Sequence, residues 1–205
     1  MMKLVILGAT GGIGRLLIDG ALEQGHAVTA FARAPEKVTE KSSRLQVIGG
    51  DLYDQQQLTA ALKGSEAVLS AFGPTVLGKT TLRRDFARVL VASMRAAGVK
   101  RVQYVSSAFV FSGARLAVRL MGGTLFRYVR QDHADAEFEM MRPDLEWTMV
   151  RPPRLLDKPA TGRIRIEADR LPKGGLVISR GDVARFMLDE AVSRRFVRQV
   201  VGISE

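Results

Sequence analysis

A glycine-rich segment near the start of the chain has the spacing of a phosphate-binding turn. Its glycines follow a short apolar run, Lys3 to Leu7, and precede a helical pattern from Gly12 to Glu23. A strand, a glycine turn and a helix in this order bring free backbone N–H groups close to the pyrophosphate of a dinucleotide. We therefore expect cofactor contacts from the residues of this turn, which are Gly8, Thr10, Gly11, Gly12, Ile13 and Gly14.

Two cations follow the second apolar run, Ala27 to Ala32, where a site that prefers NAD has an acidic residue. That acidic residue lies roughly 20 residues beyond the glycines and binds the ribose 2′-hydroxyl. Here the position holds Arg33, with Lys37 one turn later. A guanidinium and an ammonium would hold a 2′-phosphate that a carboxylate repels, so the pair predicts NADP, used as NADPH. The alternative is that both are solvated surface cations.

The ends of the third and fourth predicted strands supply two further pairs of candidate residues. Ligands of open α/β sheets bind beyond the carboxyl ends of the strands. On that ground alone, we expect Asp51 and Leu52 to contact the adenine. Phe72 and Gly73 would border the ribose and the pyrophosphate.

The rest of the chain continues the alternation of strand and helix patterns. The predicted strands are 3–7, 27–32, 45–48, 67–71, 102–106, 147–150 and 196–203, and the predicted helices are 12–23, 55–62, 81–97, 126–141 and 179–192. This pattern predicts an α/β fold, with a Rossmann-type doubly wound, mainly parallel sheet and helices on both faces. One domain would span 1–205. A segment near 154–178, rich in proline, glycine and charge, would form a small substrate lid.

The composition excludes several classes of protein. The 205 residues include no cysteine and only two histidines, so disulfides and thiolate metal sites are excluded and no metal site is expected. No apolar stretch reaches the ~18 residues of a membrane-spanning helix. The apolar run before Gly8 is too short for a signal peptide. We therefore expect a cytoplasmic protein without membrane contact, and the sequence leaves its oligomeric state open.

The chain carries a formal net charge of +10, and the excess is concentrated in one region. Between Arg83 and Arg130, ten basic residues accompany a single acid, Asp85. Arg115 and Arg119 would give a cationic rim to an acceptor pocket if their segment is helical, and a plain solvated face fits equally well. Nucleic acid is not the expected partner, because no recognition motif is present and aromatic residues make up only 6% of the chain.

Several segments beyond the glycine turn carry recognisable motifs. They are Ser106–Phe109, Asp132–His133, Val150–Pro153, Lys158–Gly162 and Val177–Met187. Together they resemble the atypical short-chain dehydrogenase/reductase superfamily, in particular its NmrA-like members and the biliverdin-IXβ reductase (flavin reductase)-like family, over nearly the whole chain. The resemblance implies a Rossmann fold and an enzyme that reduces flavins or open-chain tetrapyrroles with NADPH. It also implies that Ser107 lies near the nicotinamide and substrate, and that Pro152 is among the cofactor contacts.

Two positions depart from these families. Typical short-chain dehydrogenases have Tyr-x-x-x-Lys, whose lysine lowers the tyrosine pKa for general acid work. Tyr128 is followed at that offset by Asp132, and the biliverdin-type enzymes also lack the dyad. Its absence argues against alcohol dehydrogenase chemistry and leaves reduction of a planar conjugated acceptor. Arg154 replaces a histidine often found after the Pro-Pro pair, so the substrate stays unidentified.

The acceptor side is assigned to residues beyond the fifth predicted strand. Ser107 would donate a hydrogen bond to the acceptor, or would only cap a backbone group. His133 would donate a proton or bind an anionic group, or is an ordinary helix-surface residue. An apolar wall for a flat ligand, or a packed core, would be formed by Phe109, Phe111, Leu116, Met121 and Phe126. The residues assigned to substrate are Phe109, Phe111, Arg119 and Arg154.

These observations support two functions. The leading one is an NADPH-dependent reductase that passes hydride to a small acceptor, anionic or neutral, of the flavin, quinone or tetrapyrrole-like kind. The rival is a non-catalytic NmrA-like NADP-binding regulator or scaffold that uses its basic surface to bind a partner or nucleic acid.

Overall fold

The computed structural model describes residues 1–73, 79–111 and 124–205, and the side chains of 124–126 lie outside the description. Apolar runs form the strands and amphipathic stretches form the helices. The strands are β1 (Lys3–Leu7), β2 (Ala27–Ala32), β3 (Leu45–Gly49), β4 (Ala67–Ser70), β5 (Arg101–Val105), β6 (Glu146–Arg151), β7 (Arg154–Leu156), β8 (Arg165–Ala168), β9 (Val177–Ser179) and β10 (Gln199–Ser204). The helices are α1 (Gly12–Glu23), α2 (Gln55–Leu62), α3 (Leu82–Ala97), α4 (Thr124–Met140) and α5 (Arg180–Ser193), with 3₁₀ turns at Pro35–Lys37 and Ala108–Val110.

Within the described residues, eight strands form one sheet in the order β3-β2-β1-β4-β5-β6-β10-β8. Neighbouring strands from β3 to β10 run parallel, whereas β8 pairs antiparallel with β10. The strand order reverses between β1 and β4, which is where ligands of doubly wound sheets bind. The predicted fold class is therefore confirmed.

Apolar layers cover both faces of the sheet. In β1, Leu4 and Ile6 join the layer that contains α1 and α5, while Val5 and Leu7 join the layer that contains α2, α3 and α4. All four side chains are buried. A parallel strand buried on both faces reads as a continuous apolar run, and for this reason β1 is recognisable from sequence alone.

The segment 154–178 differs in part from the predicted lid. β8 is the edge strand of the main sheet, with Ile166 opposite Ile203 of β10. β7 and β9 pair with each other as a separate two-stranded parallel sheet. A covering role for the segment stays a prediction, but residues 165–168 belong to the sheet.

The last strand begins three residues later than the sequence pattern suggests. Residues 196–198 form a turn, and Arg198 has a φ of 58°, in the left-handed region. Glycine is the residue that marks such a conformation in a sequence. Because an arginine occupies this turn, the apolar pattern from Phe196 gave no sign of the break.

Candidate functional site

A cleft of about 470 Å³ lies beyond the carboxyl ends of β1, β2 and β4. Strand register sets Leu7 beside Phe31 on one side and beside Ser70 on the other, so three strand ends meet at the cleft. The cleft is lined by Gly8, Ala9, Thr10, Gly11, Phe31, Ala32, Arg33, Ala34, Lys37, Leu52, Tyr53, Ala71, Phe72, Gly73 and Leu82. It occupies the position at which a doubly wound sheet binds a dinucleotide.

The glycine turn brings backbone close to backbone. A β-carbon at Gly14 would lie 2.1 Å from the carbonyl oxygen of Gly8, so α1 packs against the end of β1 only if that residue is glycine. Gly8 has a φ of 77°, and a β-carbon there would lie 2.8 Å from the backbone of Ala71. The Gly11 N–H donates to the Gly8 carbonyl at 2.9 Å and closes the turn. These close approaches form the kind of backbone cradle that accepts a pyrophosphate.

Arg33 and Lys37 both line the cleft, and both are exposed. The 3₁₀ turn Pro35–Lys37 follows Arg33 and includes the lysine. Its first residue, Pro35, packs against Gly49 of β3, where an added β-carbon would lie 3.1 Å from the proline Cγ. The Lys37 N–H donates to the Ala34 carbonyl at 3.1 Å, which fixes the lysine one turn after the arginine. None of the described residues lining the cleft is acidic. The sequence-predicted cations are therefore brought together at the predicted edge.

The two residues expected at the adenine are separated by the structure. Leu52 is buried in the lining of the cleft. Asp51 lies outside the lining and builds the local turn instead, because its Oδ1 accepts from the Tyr53 N–H at 3.0 Å and its N–H donates to Gln57 Oε1 at 3.0 Å. An adenine contact by Asp51 stays a prediction.

Four other expected cofactor residues are not among the described residues that line the cleft. Ile13 is buried in the apolar core, Gly12 lies under the side chain of Arg180, and Gly14 packs against Gly8. The Pro152 carbonyl accepts from the Ala108 N–H at 2.9 Å, which ties the loop after β6 to the loop after β5.

One wall of the cleft is formed by an aromatic cluster, of which the sequence predicted only Phe72. Phe72 contacts Tyr53 at 6.2 Å and Phe86 at 4.6 Å between ring centroids. The Tyr53 hydroxyl donates to the Leu82 carbonyl at 3.1 Å. Burial, followed by the charge of Asp132, raises the pKa of Tyr53, so the phenol stays protonated. The only available signal was the position of Tyr53 directly after the predicted Asp51-Leu52 pair.

Ser107 follows β5 at the same edge of the sheet and is half-buried. Its Oγ accepts from the Phe109 N–H at 3.3 Å and caps the 3₁₀ turn Ala108–Val110. The capping interpretation is thus confirmed, and a role toward the acceptor stays a prediction. The two are compatible, because a hydroxyl that accepts one hydrogen bond still has its hydrogen to donate.

His133 is buried, so the interpretation of it as a helix-surface residue is wrong. Its Nδ1 shares a hydrogen bond of 3.3 Å with the Oγ of Ser106, which is also buried. Burial, helped by the charges of Arg83 and Arg151, lowers the pKa of His133 to about 3. The imidazole is therefore neutral near pH 7, which leaves it no positive charge for an anionic ligand.

Asp132, the neighbour of His133, acts on another helix. Its carboxylate accepts from the backbone N–H groups of Arg83 and Arg84, each at 3.3 Å, at the start of α3. It also accepts from the guanidinium of Arg83 at 3.1 Å, and both side chains of this ion pair are buried. Asp132 is thus a helix cap supplied by a distant part of the chain.

The residues assigned to substrate are only partly placed. Phe111 is buried with the Arg151 guanidinium 4.6 Å from its ring centre, and Arg151 is paired in turn with Glu137. Phe109 is half-buried, and Arg154 is exposed at the start of β7. The remaining predicted residues lie outside the described residues, and they are Arg115, Leu116, Arg119 and Met121. The side chain of Phe126 also lies outside the description.

A family model described as NAD(P)H-binding matches residues 8–193, which include the glycine turn and the strands β2 and β4 of the cleft. The chain belongs to this NAD(P)H-binding family. Phenylcoumaran benzylic ether reductase TP7 of Nicotiana tabacum is 30% identical over 108 residues, which is 48% of this chain and 33% of that protein. The alignment thus spans about a third of that curated relative.

Solved structures with the same fold cover almost the whole chain. ChuY, an anaerobilin reductase of Escherichia coli O157:H7, has a TM-score of 0.81 at 24% identity and covers 99% of this chain and 97% of its own. A short-chain dehydrogenase/reductase of Veillonella parvula in complex with NADP has a TM-score of 0.80 at 22% identity, over 100% and 94% of the two chains. At these identities the likeness establishes the Rossmann-type fold.

The basic region is less cationic than its sequence suggests. In the described part of the chain, five of its ten basic residues form ion pairs with acids, and these pairs are Arg83–Asp132, Arg84–Asp85, Arg88–Glu139, Arg95–Asp144 and Arg101–Glu190. Four of the five acids come from outside the 83–101 stretch. These four acids therefore offset four of the nine excess positive charges of the region.

Among the described residues, no group of histidines and carboxylates has the arrangement of a metal site. In the same part of the chain, no helix is long and apolar enough to cross a bilayer.

Proposed function

We propose that the protein is an NADPH-dependent reductase that passes hydride to a planar conjugated acceptor such as a flavin, a quinone or a tetrapyrrole-like compound. The observation that carries the proposal is the pair Arg33 and Lys37 in a cleft whose described lining includes no carboxylate. A 2′-phosphate there gains charge-assisted hydrogen bonds, whereas NAD offers only a hydroxyl. The close backbone approaches at Gly8 and Gly14 fit the pyrophosphate of the same dinucleotide.

The nicotinamide supplies the hydride when the cofactor is bound, so the protein has to hold two rings in contact and exclude water. Ser107 is the residue we assign to the acceptor, because it follows β5 at the edge where β1 and β4 also end. Its cap to Phe109 fixes the Oγ and leaves its hydrogen for a carbonyl or ring nitrogen of the acceptor. The hydrogen bond from the Ala108 N–H to the Pro152 carbonyl joins the loop after β5 to the loop after β6.

We assign the protein to the cytoplasm. We also propose that it acts on a small-molecule acceptor and does not bind nucleic acid. The neutralised arginines of α3 support this choice, because a nucleic-acid surface needs free cations to replace phosphate counterions. The competing function is that of a regulator without turnover. The panel of acceptors described below distinguishes a regulator from a reductase.

Cofactor preference is tested by titration of NADPH and NADH against the wild type and Arg33→Asp. The variant should lose about 1.5–3 kcal/mol of NADPH binding, because it loses a charged hydrogen-bond partner, and should change NADH binding much less. Lys100→Asp is the matched control, since it makes the same charge change at an exposed position outside the cleft. Equal wild-type affinities for the two cofactors would refute the preference.

Turnover is tested by following NADPH oxidation with a panel of flavins, quinones and linear tetrapyrroles. Ser107→Ala should slow reduction of the accepted compound and leave NADPH affinity within a few fold. Unchanged turnover with every acceptor would remove Ser107 from the mechanism but not the reductase itself. NADPH binding without oxidation by any acceptor would favour the regulator.

A further inference from the structure

The side chain of Arg180 lies against the glycine turn, although it comes from the opposite end of the sequence. A β-carbon at Gly12 would lie 2.7 Å from Arg180 Cδ and 3.0 Å from its Nε. The glycine therefore leaves the room that the arginine fills. Arg180 is the first residue of α5, and α5 packs along α1. The Cδ and Nε of Arg180 thus lie at the N-terminus of α1.

The electrostatics of this position favour a bound anion. A helix N-terminus carries a partial positive charge, and a cation there is unfavourable. Arg180 lies at the N-termini of both α1 and α5. The first turn of α1, which the structure describes in full, contains no acidic residue. Asp182 in the first turn of α5 is already engaged by Thr161, Gly162 and Ser179.

The anion that Arg180 contacts in the protein is Asp157. Arg180 Nη1 lies 2.5 Å from Asp157 Oδ1, and the aspartate side chain is 85% exposed whereas the arginine is 28% exposed. An ion pair with so exposed a partner contributes little to stability. A pyrophosphate carries more charge and more acceptor oxygens than one solvated carboxylate, so it can replace Asp157.

We propose that Arg180 is a ligand of the dinucleotide pyrophosphate, and that Asp157 competes with the cofactor for it. The exchange would couple the loop that carries Asp157 to cofactor occupancy, since that loop loses its ion pair with Arg180 when the pyrophosphate binds and keeps only its other contacts with α5, such as those of Thr161 and Gly162 with Asp182. The inference rests on the proposed function only in that a dinucleotide binds at the glycine turn. It does not depend on the 2′-phosphate preference.

The test is a titration of NADPH and NADH against wild type, Arg180→Gln and Asp157→Asn. Arg180→Gln should weaken both cofactors by the same factor, about tenfold to 100-fold, because the pyrophosphate is common to them. Asp157→Asn should tighten both by about two- to fivefold, because the competing charge is removed. Arg185→Gln is the matched control, since it removes a 60% exposed arginine from the same helix.

A second readout uses the protein without dinucleotide. Inorganic pyrophosphate should raise the melting temperature of the wild type and of Arg185→Gln, and should raise that of Arg180→Gln much less. Arg180→Lys, which keeps the charge, should be intermediate and serves if Arg180→Gln does not fold.

The outcomes separate this inference from the cofactor preference. Unchanged affinities in Arg180→Gln, with selective loss of NADPH in Arg33→Asp, would overturn the role of Arg180 alone. Equal wild-type affinity for NADPH and NADH, with both weakened by Arg180→Gln, would overturn the preference and leave the pyrophosphate ligand in place. Weaker rather than tighter binding in Asp157→Asn would refute the competition.

Discussion

The cofactor cleft is held by backbone approaches and short-range hydrogen bonds, whereas the surroundings of Ser107 and His133 depend on charged side chains from distant parts of the chain. In the cleft, Gly8 and Gly14 pack backbone on backbone. On the acceptor side, the buried pair Arg83–Asp132 joins residues 49 positions apart. The two sides should therefore fail in different ways when they are mutated.

The difference follows from what each side has to hold. A pyrophosphate is bound by backbone N–H groups, which every residue except proline has, so the cofactor side needs close packing and tolerates few side chains. The acceptor side has to fix loops between β5, α4 and β6, and its long arginines and carboxylates reach across those gaps. Burying such a pair costs desolvation free energy, and removing one partner of a buried pair is strongly destabilising.

The largest effect is expected from Asp132→Ala on the acceptor side. The substitution removes the carboxylate from the buried Arg83 guanidinium and from two backbone N–H groups at the start of α3, so the free energy of unfolding should fall by about 3–5 kcal/mol. Urea denaturation measures it. Asp135→Ala on the same helix removes a carboxylate that contacts Gln131, and should cost no more than about 0.5 kcal/mol. Similar losses in the two variants would show that the buried pair has no special importance.

On the cofactor side, the largest loss of stability should come from the addition of a single methyl group. Gly14→Ala would place a β-carbon 2.1 Å from a backbone oxygen, and such overpacking should cost about 3 kcal/mol. Gly73→Ala is the control, since a β-carbon there meets nothing within 4 Å in the described part of the chain, and its stability should change by less than about 0.5 kcal/mol. Thermal unfolding of the two proteins compares them, and a stable Gly14→Ala would contradict the close-packed turn.

A pH-dependent effect is expected on the acceptor side. The native pKa of His133 is about 3 and its ordinary value is 6.5, so below pH 6.5 the unfolded chain takes up a proton that the native protein does not. Stability should then fall as the pH falls, by about 1.5 kcal/mol between pH 6.5 and pH 5. His133→Gln should lose this dependence. His26, whose pKa is also lowered by burial, is present in both proteins and cancels in the difference. Parallel pH profiles would mean that His133 is protonated in the native protein.

The cofactor side was also the side that the sequence predicted best. The bounds of β1, α1 and β2 match the predicted ranges residue for residue, because their signals are local: apolar runs, a glycine turn and a helical period. Arg33 and Lys37 were located by their distance from that turn, and the structure places both in the cleft.

The remaining features could not be predicted because they depend on contacts between distant residues. Asp132 caps a helix that begins about 50 residues earlier in the chain, and nothing near it marks that role. Arg180 contacts Gly12 only because α5 returns to pack on α1. β8 joins the sheet through β10, which follows it in sequence, whereas the proline, glycine and charge of the surrounding segment indicated a lid. In each case the partner is fixed by topology rather than by a motif.

The smallest expected effect is the loss of a local carboxylate on the cofactor side. Asp54 caps α2, where its Oδ1 accepts from the N–H groups of Gln56 at 2.9 Å and Gln57 at 3.0 Å, and Gln57 Nε2 donates back to its Oδ2 at 2.8 Å. These groups are close in sequence and reach solvent, so Asp54→Ala should cost about 1 kcal/mol by urea denaturation. Asp54→Ser keeps a capping oxygen and should recover most of the loss. Because Gln57 also accepts from the Asp51 N–H, the alanine variant should loosen the turn that carries Leu52 and weaken NADPH only slightly. A loss as large as that of Asp132→Ala would mean that the cofactor side depends on its carboxylates as strongly as the acceptor side.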